Sequence, residues 1–384
     1  MDEVARIITR QIGAGGPISF ARFMELALYC PVYGYYERDQ DTAGRAGDYY
    51  TSVTVGSLFG ELLALQFAEW LEEVSKLQRQ GPRSRVRGRG AGIVEGGAHD
   101  GRLAWDILAF LRERRPELFG RMDYWIVEPS ERRRARQERR LGEFAGKVRW
   151  VRQLRELAGA CPPGGVRGVL FSNELLDAMP VHRFGWDARQ RRWFEWGVGL
   201  EGGRFVWTRM LKSRMTPAVS GHWEALLGAL PDGFTLDMGP AAQTWWREAA
   251  DVLEEGRLAT FDYGLTAEEL FAPERRDGTL RAYSRHQQGA DVLARPGRQD
   301  ITAHVNFSAI QAAGHEAGLA TETFTTQEQF LTRIAARAWE GGTGFGEWTP
   351  GRARQFRTLT HPQFLGRPFR VLVQRRGGEP GVRS

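Results

Sequence analysis

Cysteine is nearly absent from this 384-residue chain, which contains only Cys30 and Cys161. The two stand far apart and form no C-x-x-C pair, so the sequence indicates neither a disulfide framework nor a zinc site. No apolar run reaches the length of about 18 residues that a membrane-spanning helix needs, so we expect no membrane insertion. The start of the chain, MDEVARIITR, lacks the apolar segment of a secretory signal. These absences favour the reducing cytoplasm of a bacterium as the location.

Lysine is also scarce, so arginine carries almost all of the basic charge behind the net charge of +6. A basic balance can indicate nucleic-acid binding. Here the basic residues are spread along the chain and cluster only in 83–89 and in 131–140. In the second cluster acidic residues are mixed in. We therefore interpret the charge as a solvated surface and expect no nucleic-acid partner.

Several catalytic motifs are missing. The chain has neither a G-x-S-x-G nucleophile elbow nor a G-x-x-x-x-G-K-[ST] phosphate loop. The seven histidines are scattered, and Asp300 and His304, four residues apart, are too few ligands for a metal. We expect no metal site.

What the chain does contain is a regular alternation of strands and helices. Apolar strands are predicted at 92–95, 124–128, 148–151, 168–174 and 257–264, and helices at 102–114, 130–142 and 241–254. Such alternation predicts βαβ units and a parallel sheet, and hence the α/β class. Outside it we predict helices at 2–13, 19–28, 56–77, 306–317 and 326–338, strands near 320–324 and at 368–376, and a β-hairpin at 191–210 around Gly202-Gly203.

The first candidate site is the turn in IVEGGAHDG, residues 93–101. A glycine-containing turn after a strand lets a ligand approach the backbone at the carboxyl end of a sheet. The turn carries Glu95, Gly97, His99 and Gly101 rather than the G-x-G-x-x-G of dinucleotide-binding folds. An acidic residue beside the turn suits a cationic cofactor such as S-adenosyl-L-methionine and disfavours pyrophosphate. A simple tight turn without a ligand is the alternative.

Glu128 ends the second predicted strand. A carboxylate at this place can accept hydrogen bonds from both hydroxyls of a ribose. Its distance from Gly101, 27 residues, is longer than is usual for that role. A surface acid at a strand end is the alternative interpretation.

SNELLDAMP, residues 172–180, follows the fourth predicted strand and supplies Asn173, Glu174 and Asp177. Methyl transfer mainly needs an oriented acceptor. Two carboxylates could grip a guanidinium through charge-assisted bonds, or one could act as a general base. The alternative is a helix N-terminus, with Asn173 as its cap.

The motifs, taken together, resemble those of the MidA-like methyltransferases, whose mitochondrial members are respiratory complex I assembly factors. The similarity runs from about residue 16 to 374. It rests on the following segments: ISFARFMELALYCPVYGYY (18–36), GDYYTS (47–52), FGELLALQFAEW (59–70), IVEGGAHDGRLAWDIL (93–108), IVEPSERRRARQ (126–137), NELLDAMPVHRF (173–184), FDYG (261–264), GTLRAY (278–283), His286 and DITAHVNFSAI (300–310).

The resemblance implies a Rossmann-like class I methyltransferase core: a seven-stranded, mostly parallel sheet with a helical N-terminal region and inserted β-hairpin and α+β elements. It implies S-adenosyl-L-methionine as cofactor, bound by Glu95, Gly97, His99, Gly101, Glu128, Thr51, Ser52 and Asn173, and catalytic roles for Glu174, Asp177 and Asn173. We expect a helical region with a cofactor-covering loop over 1–78, the core over 90–374 with insertions at about 185–235 and 265–305, and a disordered tail at 375–384.

The implied substrate is an arginine side chain of a protein, in mitochondrial relatives a respiratory-chain subunit, and a homodimer is one candidate assembly. The chain departs from the family pattern where His99 replaces the middle glycine, where Val53 and Thr54 replace Pro and Glu, and where Asn306 replaces an acid. Two alternatives therefore stay open. One is a catalytically degenerate member that acts as a binding or assembly factor, and the other is a nicotinamide-linked oxidoreductase.

Overall fold

The structure, a computed structural model, describes residues 2–38, 51–80, 91–160, 165–213, 215–217, 227–284, 287–289, 291–340 and 344–377. Its longer helices are Glu3–Gly15, Phe20–Tyr29, Leu58–Gln80, Arg102–Arg114, Glu131–Arg140, Pro240–Val252, Phe307–Glu316, Gln327–Glu340 and Pro350–Thr360. The shorter ones are Ser52–Val55, Pro116–Arg121, Leu157–Ala160 and Ala267–Leu270. None of the helices in the described ranges combines the length and the apolar character needed to cross a lipid bilayer.

The strands, in chain order, are β1 (Ile18–Ser19), β2 (Gly92–Gly96), β3 (Tyr124–Val127), β4 (Val148–Val151), β5 (Val166–Asn173), β6 (His182–Asp187), β7 (Arg192–Glu201), β8 (Arg204–Arg209), β9 (Thr235–Met238), β10 (Leu253–Leu265), β11 (Arg281–Ser284), β12 (Gln287–Gly289), β13 (Asp300–Thr302), β14 (Val305–Asn306), β15 (Ala320–Thr326) and β16 (Phe369–Arg376).

The chain divides into two compact units. The accessory unit comprises Met1–Tyr50, Asp177–Gln243 and Gly264–Ala309, and the core unit comprises Thr51–Leu176, Thr244–Tyr263 and Ile310–Ser384. The domain boundaries expected from the sequence stay a prediction. Residues 378–384 of the expected tail and His286 lie outside the described residues, as do 39–50 of the expected covering loop, whereas Arg375 and Arg376 belong to β16.

The core unit is built on one large sheet in the order β15-β16-β10-β5-β2-β3-β4, with β14 pairing to β10 off this path. The pairs from β10 to β4 are parallel, and β16 runs antiparallel to both of its neighbours. Successive residues such as Ile93 and Val94 are both buried, so both faces of the sheet are covered, as parallel sheets require. This confirms the predicted Rossmann-like α/β fold.

One face of that sheet packs against a large apolar cluster. Phe59, Leu63 and Phe67 of the helix Leu58–Gln80 belong to it together with Phe171 of β5 and Phe261 of β10. On the helix these side chains recur every four residues, which places them on one face. The amphipathic pattern predicted for 56–77 thus anchors the helix to the strands that end at the candidate site.

The accessory unit contains a second, antiparallel sheet in the order β1-β7-β6-β9, with β8 on β7. The predicted hairpin is confirmed: Glu201 pairs with Arg204, and Gly202 and Gly203 have φ of 54° and 78°. Two consecutive left-handed residues form the turn that matches the twist of paired strands. In the same unit, Ser19 caps the helix Phe20–Tyr29, because its side chain accepts a hydrogen bond from the Arg22 amide.

Candidate functional site

The glycine turn joins β2 to the helix Arg102–Arg114 and contains three left-handed residues. Gly97, His99 and Gly101 have φ of 70°, 47° and 85°. A Cβ at Gly97 would lie 2.7 Å from the Leu175 Cδ1 atom, so both the backbone conformation and the space require glycine there. The turn therefore brings the backbone close to the segment that follows β5.

His99 occupies the turn in a glycine-like conformation. The left-handed region costs a non-glycine residue roughly 1–2 kcal/mol. The His99 carbonyl accepts a hydrogen bond of 3.0 Å from the Gln137 amide, and its side chain stays partly exposed. The substitution of glycine by histidine thus leaves the course of this turn intact.

Glu95 lies near the end of β2, with its side chain buried. Its Oε2 accepts a hydrogen bond of 2.7 Å from the Tyr124 hydroxyl, which is also buried. Burial raises the pKa of Glu95 to about 8, although the Tyr124 hydrogen bond acts in the opposite direction. Glu95 is consequently protonated in a large fraction of molecules at neutral pH.

Glu128 follows β3 and is equally buried, but it has several donors. Its Oε1 accepts from the Ser130 amide at 2.9 Å and from Arg133 Nε at 3.0 Å, and its Oε2 accepts from Gln137 Nε2 at 3.0 Å. A carboxylate has about four acceptor positions, so one remains for a ligand. A cavity of about 300 Å³ adjoins it, lined by Glu128, Pro129, Glu131, Arg134, Glu138 and Arg152.

Asn173 ends β5, and Glu174 follows it with a left-handed φ of 49°. The alternative of a helix capped by Asn173 is wrong, because residues 174–181 form turns instead. The Glu174 amide donates to the Phe261 carbonyl at 2.9 Å, which fixes the turn to the adjacent β10. The Glu174 Oε1 atom accepts a hydrogen bond of 3.0 Å from Nδ2 of the Asn173 side chain.

Thr51 and Ser52 lie beside this carboxylate. The Ser52 amide donates to Glu174 Oε1 at 3.3 Å, and the Ser52 hydroxyl donates to Gln327. Thr51 caps the short helix Ser52–Val55, and Thr54 completes a reciprocal capping box with it. The Thr54 side chain accepts a hydrogen bond from the Thr51 backbone amide. A glutamate, which the family pattern has at this position, is suited to the same contact. The structure thus brings Thr51, Ser52, Asn173 and Glu174 together.

Asp177 lies in the accessory unit. Its carbonyl accepts a hydrogen bond of 2.9 Å from the Ala303 amide, and its side chain is largely buried. In the same unit, the Asn306 side chain accepts from the Ala309 amide, so it caps the following helix as an acid would. Among the residues that the structure describes, no group of three or more potential metal ligands occurs.

Two residues were missed by reasoning from the sequence. Gln137 is fully buried and bridges the His99 carbonyl and Glu128. Asp262, also fully buried, accepts hydrogen bonds from the amides of Leu175 and Leu176 at 3.2 and 2.8 Å. Gln137 lies in a segment whose sequence predicts an exposed charged helix, so nothing in the sequence indicated its role. For Asp262 the one indication was its position near the end of a predicted strand.

Comparison with known proteins gives three findings. The sequence model of a family of S-adenosyl-L-methionine-dependent methyltransferases matches residues 62–325. The crystal structure of a superfamily member from Burkholderia thailandensis, bound to S-adenosyl-homocysteine, has 30% sequence identity and a TM-score of 0.80, covering 98% of this chain and 92% of that one.

The third finding concerns curated relatives. The mitochondrial protein arginine methyltransferase homolog of Drosophila melanogaster is 27% identical over 80% of this chain and 69% of its own length. The corresponding protein of Rattus norvegicus is 27% identical over 96% of this chain and 83% of its own length.

Proposed function

The chain belongs to this family of S-adenosyl-L-methionine-dependent methyltransferases, and from that premise we propose that it methylates an arginine side chain of a protein. S-adenosyl-L-methionine is the cofactor. The names of the mitochondrial relatives support arginine as the acceptor. A respiratory-chain subunit, which the family resemblance implies, stays the predicted protein substrate. The cytoplasmic location and the homodimer stay predictions.

The residues around the glycine turn fit this cofactor. The Asn173 Oδ1 atom is buried and has no hydrogen-bond partner among the described residues, so it can accept a bond from the amino group of the cofactor. Glu128 retains one acceptor position for a ribose hydroxyl and lines an adjoining cavity. Glu95, Gly97, His99 and Gly101 form the turn, with Thr51 and Ser52 beside the Asn173 segment. When bound, the cofactor supplies an electrophilic methyl group on a sulfonium.

One observation carries the assignment of arginine as the methyl acceptor. The Asn173 side-chain amide and the Ser52 backbone amide both donate hydrogen bonds to the Glu174 carboxylate and hold it in place. A carboxylate held in this way can accept charge-assisted hydrogen bonds from a guanidinium and orient one of its nitrogens. The nitrogen that gains a methyl group loses a proton, which Glu174 or Asp177 would accept. Asp177 enters this proposal through the sequence motif that it shares with Glu174.

The test begins with isothermal titration of the purified protein with S-adenosyl-homocysteine. Arginine methylation is then compared by mass spectrometry between parent cells and cells lacking the gene. We expect a small number of methylarginine sites to disappear, to return with the parental gene and to stay absent with Glu174→Gln. Glu316→Gln, the same substitution at an exposed glutamate, is the control and should restore them. Methylation lost from another residue type would refute the arginine assignment, and binding without any loss of methylation would favour a binding or assembly role.

A further inference from the structure

Gln137 uses both hydrogens of its side-chain amide and accepts one further hydrogen bond on its oxygen. Its Nε2 donates to the His99 carbonyl and to Glu128 Oε2, both at 3.0 Å, and its Oε1 accepts from Trp150 Nε1 at 3.0 Å. The residue is fully buried in the helix Glu131–Arg140. Since Trp150 can only donate and Glu128 accepts, these partners dictate the orientation of the amide.

Both donor bonds end on groups assigned to the cofactor. The His99 carbonyl belongs to the left-handed residue in the middle of the glycine turn, a conformation that histidine adopts only at a cost. Glu128 Oε2 belongs to the carboxylate assigned to the ribose. One side chain therefore ties together the segment after β2 and the segment after β3, and Arg140 of the same helix also bonds to the turn, at the Asp100 carbonyl and carboxylate.

The packing around Gln137 is tight. A Cβ at Gly101, the last residue of the turn, would lie 3.4 Å from the Gln137 Cα and 3.3 Å from Leu141 Cδ1. The helix backbone at Gln137 thus abuts the end of the turn while its side chain holds the middle. A ligand that needs the turn and Glu128 in a set geometry binds more tightly when both are held beforehand.

We propose that Gln137 is a positioning residue for the cofactor, acting through the His99 carbonyl and the Glu128 carboxylate. The inference rests on the proposed function, in which S-adenosyl-L-methionine lies over the glycine turn with its ribose at Glu128. It also accounts for how the turn accommodates His99, because the hydrogen bond from Gln137 holds that residue in its left-handed conformation.

The experiment is titration of S-adenosyl-homocysteine into Gln137→Met, which keeps the length of the side chain and removes its hydrogen bonds. Gln66→Met is the matched control, because Gln66 is a buried helical glutamine whose amide bonds to Glu69 and Arg337 instead. We expect the Kd to rise about tenfold or more for Gln137→Met and to change less than about twofold for Gln66→Met.

Loss of stability alone would not move the Kd of the folded protein. An unchanged Kd in Gln137→Met, or an equal rise in both variants, would overturn the inference while leaving the proposed function intact. If Gln137→Met does not fold, Gln137→Asn carries the test, because it keeps a polar amide but is one methylene shorter and cannot reach both the His99 carbonyl and Glu128, and the same Kd rise is expected. A parent protein that does not bind S-adenosyl-homocysteine would overturn the proposed function and this inference with it.

Discussion

Glu95 and Glu128 stand on neighbouring parallel strands and are each 2% exposed, but their partners differ. Glu95 has the Tyr124 hydroxyl as its donor in the structure, whereas Glu128 accepts hydrogen bonds from a backbone amide, a glutamine and the guanidinium of Arg133. Burial penalises the charged form of a carboxyl group, and at Glu128 the Arg133 guanidinium lies at hydrogen-bonding distance. Equal burial is therefore combined with different partners at the two residues.

The difference has a functional meaning. Because several donors hold the Glu128 carboxylate in place, it is suited to accept a further hydrogen bond from a hydroxyl group. Glu95, with its pKa raised to about 8 by burial, is suited to a structural role below the turn, where a neutral carboxyl avoids an isolated buried charge. Sequence reasoning assigned both to the cofactor, and the structure separates their chemistry.

The largest effect is expected from Glu128→Ala. The change removes one hydrogen-bond acceptor each from Arg133 and from the fully buried Gln137, and breaking a buried ion pair costs about 3 kcal/mol or more. We expect the free energy of unfolding, measured in urea, to fall by that amount. Glu138→Ala, which removes an exposed ion pair from the same helix, should cost less than about 1 kcal/mol. Equal losses of unfolding free energy in the two variants would contradict the distinction between the buried and the exposed ion pair.

A pH-dependent effect, which for each pH unit is smaller than the loss expected from Glu128→Ala, is expected from Glu95→Gln. The folded pKa of Glu95, about 8, lies above its ordinary value of 4.5, so the folded state binds this proton more tightly. The resulting stability is complete below about pH 4.5 and is lost as the pH rises through about 8. The parent should therefore lose stability relative to Glu95→Gln over this window, by up to about 1.4 kcal/mol per pH unit.

Tyr124→Phe sharpens this test. The Tyr124 hydrogen bond lowers the pKa of Glu95, so its removal should extend the decline in stability to higher pH. Urea unfolding at several pH values between 5 and 9 measures all three proteins. Parallel pH profiles for the parent and Glu95→Gln would show that Glu95 is ionised throughout and would refute the contrast with Glu128.

The smallest effect is expected from His99→Gly. Glycine adopts the left-handed φ of 47° freely, but it also increases the entropy of the unfolded chain. These terms oppose one another, so we expect a net stabilisation of about 1 kcal/mol or less, seen as a small rise in Tm. A drop in Tm of several degrees would mean that the contact between the His99 side chain and the Asp100 carboxylate contributes more than the backbone strain costs.

Much of the core unit could be predicted from the sequence. The helix Arg102–Arg114 and the strand Val148–Val151 have the predicted bounds, and the family resemblance, the fold and the cofactor are confirmed. Apolar periodicity and glycine placement are local properties, so they can be seen in one segment at a time. The strands β6 and β9, short antiparallel strands of the accessory unit with six and four residues, were missed.

The site was only partly predictable. Glu95, Glu128 and Glu174 could be located because each follows or ends a predicted strand, but the sequence cannot show which donors surround a carboxylate. Gln137 reads as one polar residue in a charged helix, and Asp262 as the acid of FDYG. Gln137 bonds to a residue 38 positions away and Asp262 to one 87 positions away. Such pairs form only after the strands assemble.

By itself, the sequence determined the alternation of strands and helices, the glycine turn and the family, because these depend on local conformational preferences and on motifs. The tertiary structure alone decided the left-handed conformation of His99, the bridge made by Gln137 and the different environments of Glu95 and Glu128. Charge state and positioning depend on desolvation and on donors that come from distant segments, and these are set only when the chain is packed.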